Sequence, residues 1–253
     1  MLWELWFNFT LFNFTLDTNR NLVYCRQAMN LEMEIKSVTR SIVEYLRGRI
    51  IVGEFKPGQK LNENQISAQL NISRPPIREA FRILEQEHLI FSIPRKGSYV
   101  TEVSIENYLK ILQAREITEC FIIDLLKARD IRDLPQVTAA LIRASNLSIP
   151  SGENQEEKLN YIGVMDKYHV KLVESAGNEL LNHFYGVIKS NISRYKYMFL
   201  FIPGVASRSL HEHQKILDLI KMGAYDEAKE CLRTHIYSSF ELIRSKILEK
   251  GSR

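Results

Sequence analysis

The chain has 253 residues, of which 45% are hydrophobic and 25% are charged, a composition typical of a globular protein. It excludes a collagen-like, low-complexity or broadly disordered chain, and the length predicts one large or two modest domains. The net charge of +4 is too small to identify a nucleic-acid-binding protein by itself. Cys25, Cys120 and Cys231 are odd in number and lack metal-ligand spacing, which indicates a reducing compartment without a disulfide framework.

Residues 1–33 differ from the rest because an aromatic run holds both tryptophans and the first positive charge is Arg20. No basic region precedes this run and no A-x-A cleavage site follows it, which excludes a signal peptide. We interpret the segment as a leader that is disordered, or as an upstream extension of the reading frame with the start at Met29 or Met33. The alternative is a weak anchor on a membrane surface. No stretch approaches the ~20 apolar residues of a spanning helix, so we expect a cytoplasmic protein with no membrane partner.

The positive charge is concentrated in one segment. Residues 34–101 hold eleven Lys and Arg against seven Asp and Glu, whereas residues 102–253 hold 21 against 20. A basic module beside a neutral one is typical of a nucleic-acid-binding domain with a partner domain. We therefore predict two domains, over residues 34–102 and 103–250.

The basic segment has the pattern of three short helices. Apolar residues recur at helical spacing over residues 37–52, and Gly53 ends that helix. Asn62 is a suitable N-cap for a second helix and Ser73 for a third, and residues 71–73 form the tight link between them. Two short helices with such a link, the second opening with exposed arginines, are typical of a helix-turn-helix.

Two strands are predicted after the third helix, at residues 89–93 and 97–101, around a basic turn that contains Arg95 and Lys96. The pair forms a wing whose charges suit DNA phosphates or the minor groove. The alternative is a solvated basic helical hairpin without DNA contact. Basic residues at both the start of the third helix and the tip of the wing favour DNA, so we predict a winged helix-turn-helix.

Residues 103–250 are predicted to form an all-helical bundle, so the fold class is mainly α. The helices are expected at residues 104–128, 135–144, 156–176, 179–199, 205–222 and 225–248. His169, His213 and His235 have apolar or small neighbours at helical spacing and face inward. Each alone is typical of a core histidine, but three on three helices of one bundle suit a Zn, Ni or Mn site.

The basic segment resembles the GntR family of bacterial transcription regulators. The resemblance rests on the runs FKPGQKL at 55–61, SRPPIREAFRILE at 73–85 and PRKGSYV at 94–100. It implies that the following residues contact DNA: Ser73, Arg74, Pro75, Arg78, Arg95, Lys96 and Gly97. Asn64 stands where the family often has Arg, and Pro75 replaces the usual Thr, which removes one hydroxyl for a phosphate.

The second domain resembles the FCD effector domain of the FadR subfamily of GntR regulators. The resemblance rests on the order and surroundings of the three histidines and on Asn178, nine residues after His169. It implies a metal site completed by an Asp one turn before the first histidine. Met165 holds the usual i−4 position here, so Asp166 at i−3 is the candidate fourth ligand. The alternative is that Asp166 is an exposed acid beside Lys167.

Arg115 matches the family's arginine that points toward the ligand cavity. An arginine fork binds a carboxylate through two hydrogen bonds, so the resemblance implies a small organic acid as effector. The alternative is a surface pair with Glu119, four residues on, which contributes little to stability.

These patterns predict a ligand-responsive regulator, a repressor, that binds an inverted-repeat DNA operator as a homodimer. Met165 at the carboxylate position favours an alternative, a metal-free regulator that responds to a larger acyl ligand. A helical metalloenzyme is a further alternative. Because the chain lacks HExxH, a nucleophile elbow, a P-loop and GxGxxG, we predict that it is not an enzyme.

Overall fold

The structure, a computed structural model, describes residues 38–251, with side chains through residue 248. The predictions for residues 1–33 and for a helix start at Ser37 lie outside the described residues. The N-terminal elements of the described chain are α1 over residues 38–52, β1 at Lys60–Leu61, α2 at Glu63–Leu70, α3 at Arg74–Gln86, β2 at Ile90–Ile93 and β3 at Gly97–Val100.

The three strands form an antiparallel sheet in the order β1-β3-β2. The predicted hairpin of β2 and β3 is confirmed, with Ile90 opposite Val100 and Ile93 opposite Gly97. The edge strand β1 is an addition to the prediction. Two residues are too short to show an alternating pattern, and Leu61 becomes buried only because β1 pairs with β3.

The helix caps follow the prediction at α2 but not fully at α3. The side chain of Asn62 accepts the backbone N–H groups of the second and third helical residues of α2. Ser73 stands at the N-cap of α3, yet its side chain makes no capping hydrogen bond. The reason is that Pro75 and Pro76 occupy the positions whose N–H groups an N-cap would bind, and proline has none.

The C-terminal domain is a bundle of seven helices within the described residues. They are α4 at Ile105–Ala128, α5 at Pro135–Ser145, α6 at Gln155–Glu174, α7 at Glu179–Phe199, α8 at Val205–Lys221, α9 at Tyr225–Tyr237 and α10 at Phe240–Gly251. None of these helices is long and apolar enough to cross a membrane.

The single helix predicted over residues 225–248 is wrong, because it is divided into α9 and α10. The break lies at Ser238 and Ser239, where the Ser238 hydroxyl donates to the carbonyl of His235 at 2.8 Å. The Ser239 hydroxyl forms a buried hydrogen bond with the hydroxyl of Tyr108 on α4. The break thus depends on a partner more than 100 residues away, which helical periodicity does not report.

Helix α7 holds the two domains together. Asn191 donates from Nδ2 to the carbonyl oxygen of Glu87 at 2.6 Å, and Arg194 donates from Nη1 to the hydroxyl of Thr101 at 2.9 Å. The hydrophobic residues form two separate clusters, one in the N-terminal part and one in the bundle. Polar contacts from α7 therefore set how the DNA-binding elements are attached to the bundle.

Candidate functional site

The N-terminal half of α3 presents a basic surface to solvent. Its apolar stripe, Ile77, Ala80, Phe81 and Leu84, is buried against the rest of the domain. The opposite side leaves four predicted DNA contacts exposed, namely Ser73, Arg74, Pro75 and Arg78. The burial of one stripe therefore determines which face of α3 is free to enter a DNA groove.

Two arginines on this surface are held by neighbouring acids. Arg78 Nε donates to Glu63 Oε2 at 2.8 Å, and Arg82 Nη2 lies 2.7 Å from Glu79 Oε1. The ion pair with Arg82 holds the pKa of the Glu79 carboxyl below its usual value. Because these pairs are solvent-exposed, they contribute little to stability and can be exchanged for phosphate contacts.

Gly97, at the tip of the wing, has a backbone conformation that favours glycine. Gly97 has φ +107, and a Cβ there would lie 3.0 Å from Lys60 Cε. Arg95 also has a positive φ, of 63°. The tight turn leaves the side chains of Arg95 and Lys96 exposed, as a wing that contacts DNA requires.

The three predicted histidines meet at the centre of the bundle. Nε2 of His213 on α8 lies 3.0 Å from Nε2 of His169 on α6 and 3.2 Å from Nε2 of His235 on α9. They are the one group of three or more His, Cys, Asp or Glu among the described residues whose ligand atoms come close enough to hold a metal ion. The expectation that the three side chains face inward is confirmed, since all three are buried.

Two carboxylates orient this centre. Glu119 Oε2 lies 2.9 Å from Nδ1 of His169, and Glu212 Oε2 lies 2.7 Å from Nδ1 of His235. A carboxylate that accepts the Nδ1 proton leaves Nε2 as a lone pair, and such pairs are typical partners of metal-binding histidines. Burial lowers the pKa of His169 and His213 well below the usual histidine value, so both rings are in the neutral form that binds metals.

Arg115 lies beside the histidines. Its Nε donates to Glu119 Oε1 at 2.5 Å, and its Nη2 lies 2.8 Å from Nε2 of His169. Arg115 does pair with Glu119, but the predicted alternative of a surface pair is wrong. The pair is buried, because the two side chains are only 5% and 0% exposed. The Tyr185 hydroxyl donates to the same Glu119 carboxylate at 2.7 Å.

Asp166 lies near the centre but outside the group of three histidines. Its Oδ1 pairs with Nζ of Lys196 at 2.5 Å, and its Oδ2 accepts the hydroxyl proton of Ser193 at 2.6 Å. The alternative of an exposed acid beside Lys167 is wrong, since Asp166 is buried. The structure thus gives Asp166 a buried cation on α7 as its partner, which no local sequence pattern predicted.

A small cavity of about 30 Å³ opens beside His235. Its wall includes the side chains of Arg115, Met165, Lys196, Arg208, Glu212 and Ser239. Three of these carry positive charge, and each is paired with a carboxylate, namely Glu119, Asp166 or Glu212. Lys196 and Glu212 were not predicted from the sequence as residues of this site. The position of Glu212 directly before His213 could have indicated it, whereas no sequence pattern indicated Lys196.

Two family patterns match the chain. The pattern described as "Bacterial regulatory proteins, gntR family" matches residues 38–100, and the pattern described as "FCD domain" matches residues 110–238. Together they cover both parts of the structure described above, including α3, the wing and all three histidines.

Relatives match along most of their length. The chain is 26% identical over 202 residues to an HTH-type transcriptional regulator in an unstable DNA locus of Streptomyces ambofaciens, covering 80% of this chain and 83% of the relative. It is 24% identical over 208 residues to the HTH-type transcriptional repressor RspR of Escherichia coli strain K12, covering 82% and 89%. The solved structure of E. coli McbR/YncC has a TM-score of 0.65 at 16% identity, covering 83% of this chain and 98% of the other. That likeness shows the fold alone.

Proposed function

The chain belongs to the gntR family of bacterial regulatory proteins and is a transcriptional regulator with an FCD effector-binding domain. We propose that it is a repressor controlled by a small carboxylic acid. The relative RspR is a repressor, which supports the direction of control. We place the chain in the FadR subfamily, whose members combine these two domains. We expect the protein to act in the cytoplasm, because operator DNA lies there. Its two family patterns are those of a regulator and not of an enzyme.

On the DNA side, α3 and the wing are the proposed contacts. The exposed side chains of Ser73, Arg74 and Arg78 lie at the N-terminus of α3, where side chains reach base edges in the major groove. Pro75 and Pro76 remove two backbone donors from this helix end. The free Ser73 hydroxyl and the arginine side chains therefore supply the phosphate contacts. Exposed wing residues, Arg95, Lys96 and Gly97, lie along the DNA backbone.

In the bundle, we propose a divalent metal, Zn, Ni or Mn, held by His169, His213 and His235. The observation that carries this proposal is the convergence of three buried Nε2 atoms. Those of His169 and His235 lie within 3.2 Å of Nε2 of His213. Imidazole suits these metals, and the two orienting carboxylates strengthen the ligands. A metal bound there supplies a positive charge and open coordination positions for an anion. We retain Asp166 as a ligand candidate, although its pairing with Lys196 argues against it.

The charges around the histidines support a carboxylate effector. Arg115, Lys196 and Arg208 provide three positive charges, while Glu119, Asp166 and Glu212 provide three negative ones. The histidines are neutral, so a divalent cation gives the centre a surplus of two positive charges. A bound carboxylate would lower that surplus, which burial makes costly. Arg115 is the proposed carboxylate-binding residue, because its guanidinium reaches the same point as the histidines.

We propose that the protein is a homodimer whose contact face lies on α4 and α7. The Tyr185–Glu119 hydrogen bond and the stacked rings of Tyr108 and Tyr195 hold these helices side by side in antiparallel order. That order brings together three exposed apolar side chains, Ile117, Phe121 and Leu180, which are 49–82% exposed. An exposed apolar patch of this kind is typical of a protein contact. A two-fold dimer suits an inverted-repeat operator.

The test of the metal proposal is the melting temperature of chelator-stripped protein with and without Zn, Ni or Mn. A metal at 100 times its dissociation constant stabilises the folded state by about 2.7 kcal/mol, which raises the melting temperature by several degrees. His213→Ala should lose the shift, whereas His183→Ala, an exposed histidine on α7, should keep it. The absence of a shift with every metal would favour the alternative, a metal-free regulator for an acyl ligand in which Met165 and His235 line the cavity.

A further inference from the structure

A second, larger cavity lies between the two domains. Its volume is about 700 Å³, within the ~300–1,000 Å³ range of small-molecule sites. One wall comes from the end of α3 and the linker to α4, including His88 and Thr101. The other wall comes from α4 and α7 and carries the apolar side chains of Ile111, Ala114, Phe184, Val187 and Ile188. The cavity does not share a lining residue with the cavity beside His235.

Arg194 lines this cavity and lacks a carboxylate partner. It is 5% exposed, and its Nη1 donates to the Thr101 hydroxyl at 2.9 Å. Among the described residues, no acid lies within ion-pair distance of it. Burial lowers the pKa of its guanidinium, and the negative charge of Glu102 partly opposes this shift. A buried cation without a direct ion pair is costly, and the single hydrogen bond to Thr101 leaves further N–H donors of the guanidinium available to a ligand.

The nearest acid is occupied elsewhere. Glu102 also lines the cavity, but its carboxylate covers Gly58, where Oε1 would lie 2.6 Å from an added Cβ. Gly58 has φ +72, so the close approach of Glu102 uses a position that favours glycine. The carboxylate is therefore directed to the turn before β1, so it acts on the charge of Arg194 only from beyond ion-pair distance.

We propose that this interdomain cavity binds an amphipathic monocarboxylate, with its carboxylate on Arg194 and its apolar body against α4 and α7. The guanidinium fork suits a carboxylate. The amide group of Asn107 also lines the cavity and adds a polar contact. This site is separate from the histidine centre and does not depend on a metal there.

Because the site lies between the two domains, a ligand bound there would be a second effector of DNA binding. Both domains contribute walls, and Arg194 already contacts the linker through Thr101. A ligand that touches both walls favours the arrangement of the domains in which the walls are this close. Its effect on operator affinity is limited to its differential affinity for the two arrangements.

The test uses the full chain and two probes of the same shape, phenylbutyrate and its uncharged analogue phenylbutanol. Calorimetric titration should show one phenylbutyrate site per chain, with phenylbutanol at least tenfold weaker. Arg194→Gln keeps a polar side chain but removes the charge, so it should weaken phenylbutyrate at least tenfold and leave phenylbutanol unchanged. Ala114→Leu fills the cavity from the α4 side and should weaken both probes.

Removal of the metal separates this site from the metal centre: chelator-stripped wild-type protein should bind phenylbutyrate like metal-loaded protein. Equal binding of phenylbutyrate by wild type and Arg194→Gln would overturn the proposal, as would the absence of binding to the wild type. If Arg194→Gln does not fold, Ala114→Leu decides the question. Unchanged phenylbutyrate affinity in that variant would place the probe elsewhere and overturn the proposal.

Discussion

Nδ1 of His169 lies 2.9 Å from Oε2 of Glu119, across the contact between α6 and α4. The other oxygen of the same carboxylate accepts hydrogen bonds from Arg115 and Tyr185. One buried glutamate therefore fixes the tautomer of a metal-ligand candidate and the direction of the arginine proposed to hold the effector. Metal binding and effector binding are expected to be coupled through this residue.

Removal of an orienting carboxylate should weaken metal binding without abolishing it. Glu212→Gln leaves His235 without its carboxylate, and such changes reduce metal affinity about 10- to 100-fold. Glu212 is the better choice for this test, because its side chain is 22% exposed whereas that of Glu119 is fully buried. Competition of a chelator against Zn-loaded protein measures the change. Glu116→Gln, which removes an acid paired with Arg233 on the same side of the bundle, should bind metal like the wild type.

Loss of the Asp166 carboxylate should cost stability rather than metal affinity. Asp166→Asn leaves Lys196 buried without its counter-charge, and breaking such a pair destabilises proteins by about 3–5 kcal/mol. Urea unfolding at neutral pH measures the loss. The double variant Asp166→Asn, Lys196→Met removes both charges and should recover much of the stability. A metal affinity that falls tenfold or more in the folded single variant would instead make Asp166 a ligand.

Ser73→Ala and Asn62→Ala should separate DNA contact from helix capping. Ser73 makes no capping bond, so Ser73→Ala should change stability by less than about 0.5 kcal/mol while it weakens binding to an operator selected from random DNA. Asn62 caps α2, so Asn62→Ala should lose about 1 kcal/mol of stability. Urea unfolding and fluorescence anisotropy with labelled DNA measure the two effects. A destabilised Ser73→Ala with normal DNA affinity would reverse these assignments.

Arg78→Ala should lose operator affinity and keep the fold. Arg78 is exposed and paired only with Glu63 in an exposed ion pair, so its stability contribution is small. Loss of a base-reading arginine weakens operator binding by about 1–3 kcal/mol. Anisotropy at physiological salt measures this effect, and Arg244→Ala on α10, which also has an exposed ion pair, is the matched control. Unchanged operator affinity would remove Arg78 from the DNA interface.

Arg115→Lys should abolish the effector response while DNA binding persists. Lysine keeps the charge beside Glu119 but lacks the planar fork that binds a carboxylate through two hydrogen bonds. The wild type is first screened with small hydroxy and dicarboxylic acids for a change in operator affinity and melting temperature. The acid that acts on the wild type should leave the operator affinity of Arg115→Lys unchanged. A normal response would place the effector away from Arg115.

The periodic parts of the chain could be predicted from the sequence. The α3 stripe of Ile77, Phe81 and Leu84 and the inward histidines depend on spacing along one helix, which is a local property. The cap at Asn62 depends on its own side chain and the next few residues. Such features appear in the sequence because the interacting groups are close along the chain.

Local patterns along the chain were therefore enough to predict a winged helix-turn-helix joined to a helical bundle with three histidines inside. Which polar groups meet in the bundle depends on tertiary packing. Lys196 pairs with Asp166 from 30 residues away, and Tyr108 meets Ser239 from 131 residues away at the break between α9 and α10. Each contact depends on how helices pack side by side. The same packing leaves Arg194 buried without a carboxylate, a property that no spacing along α7 could reveal.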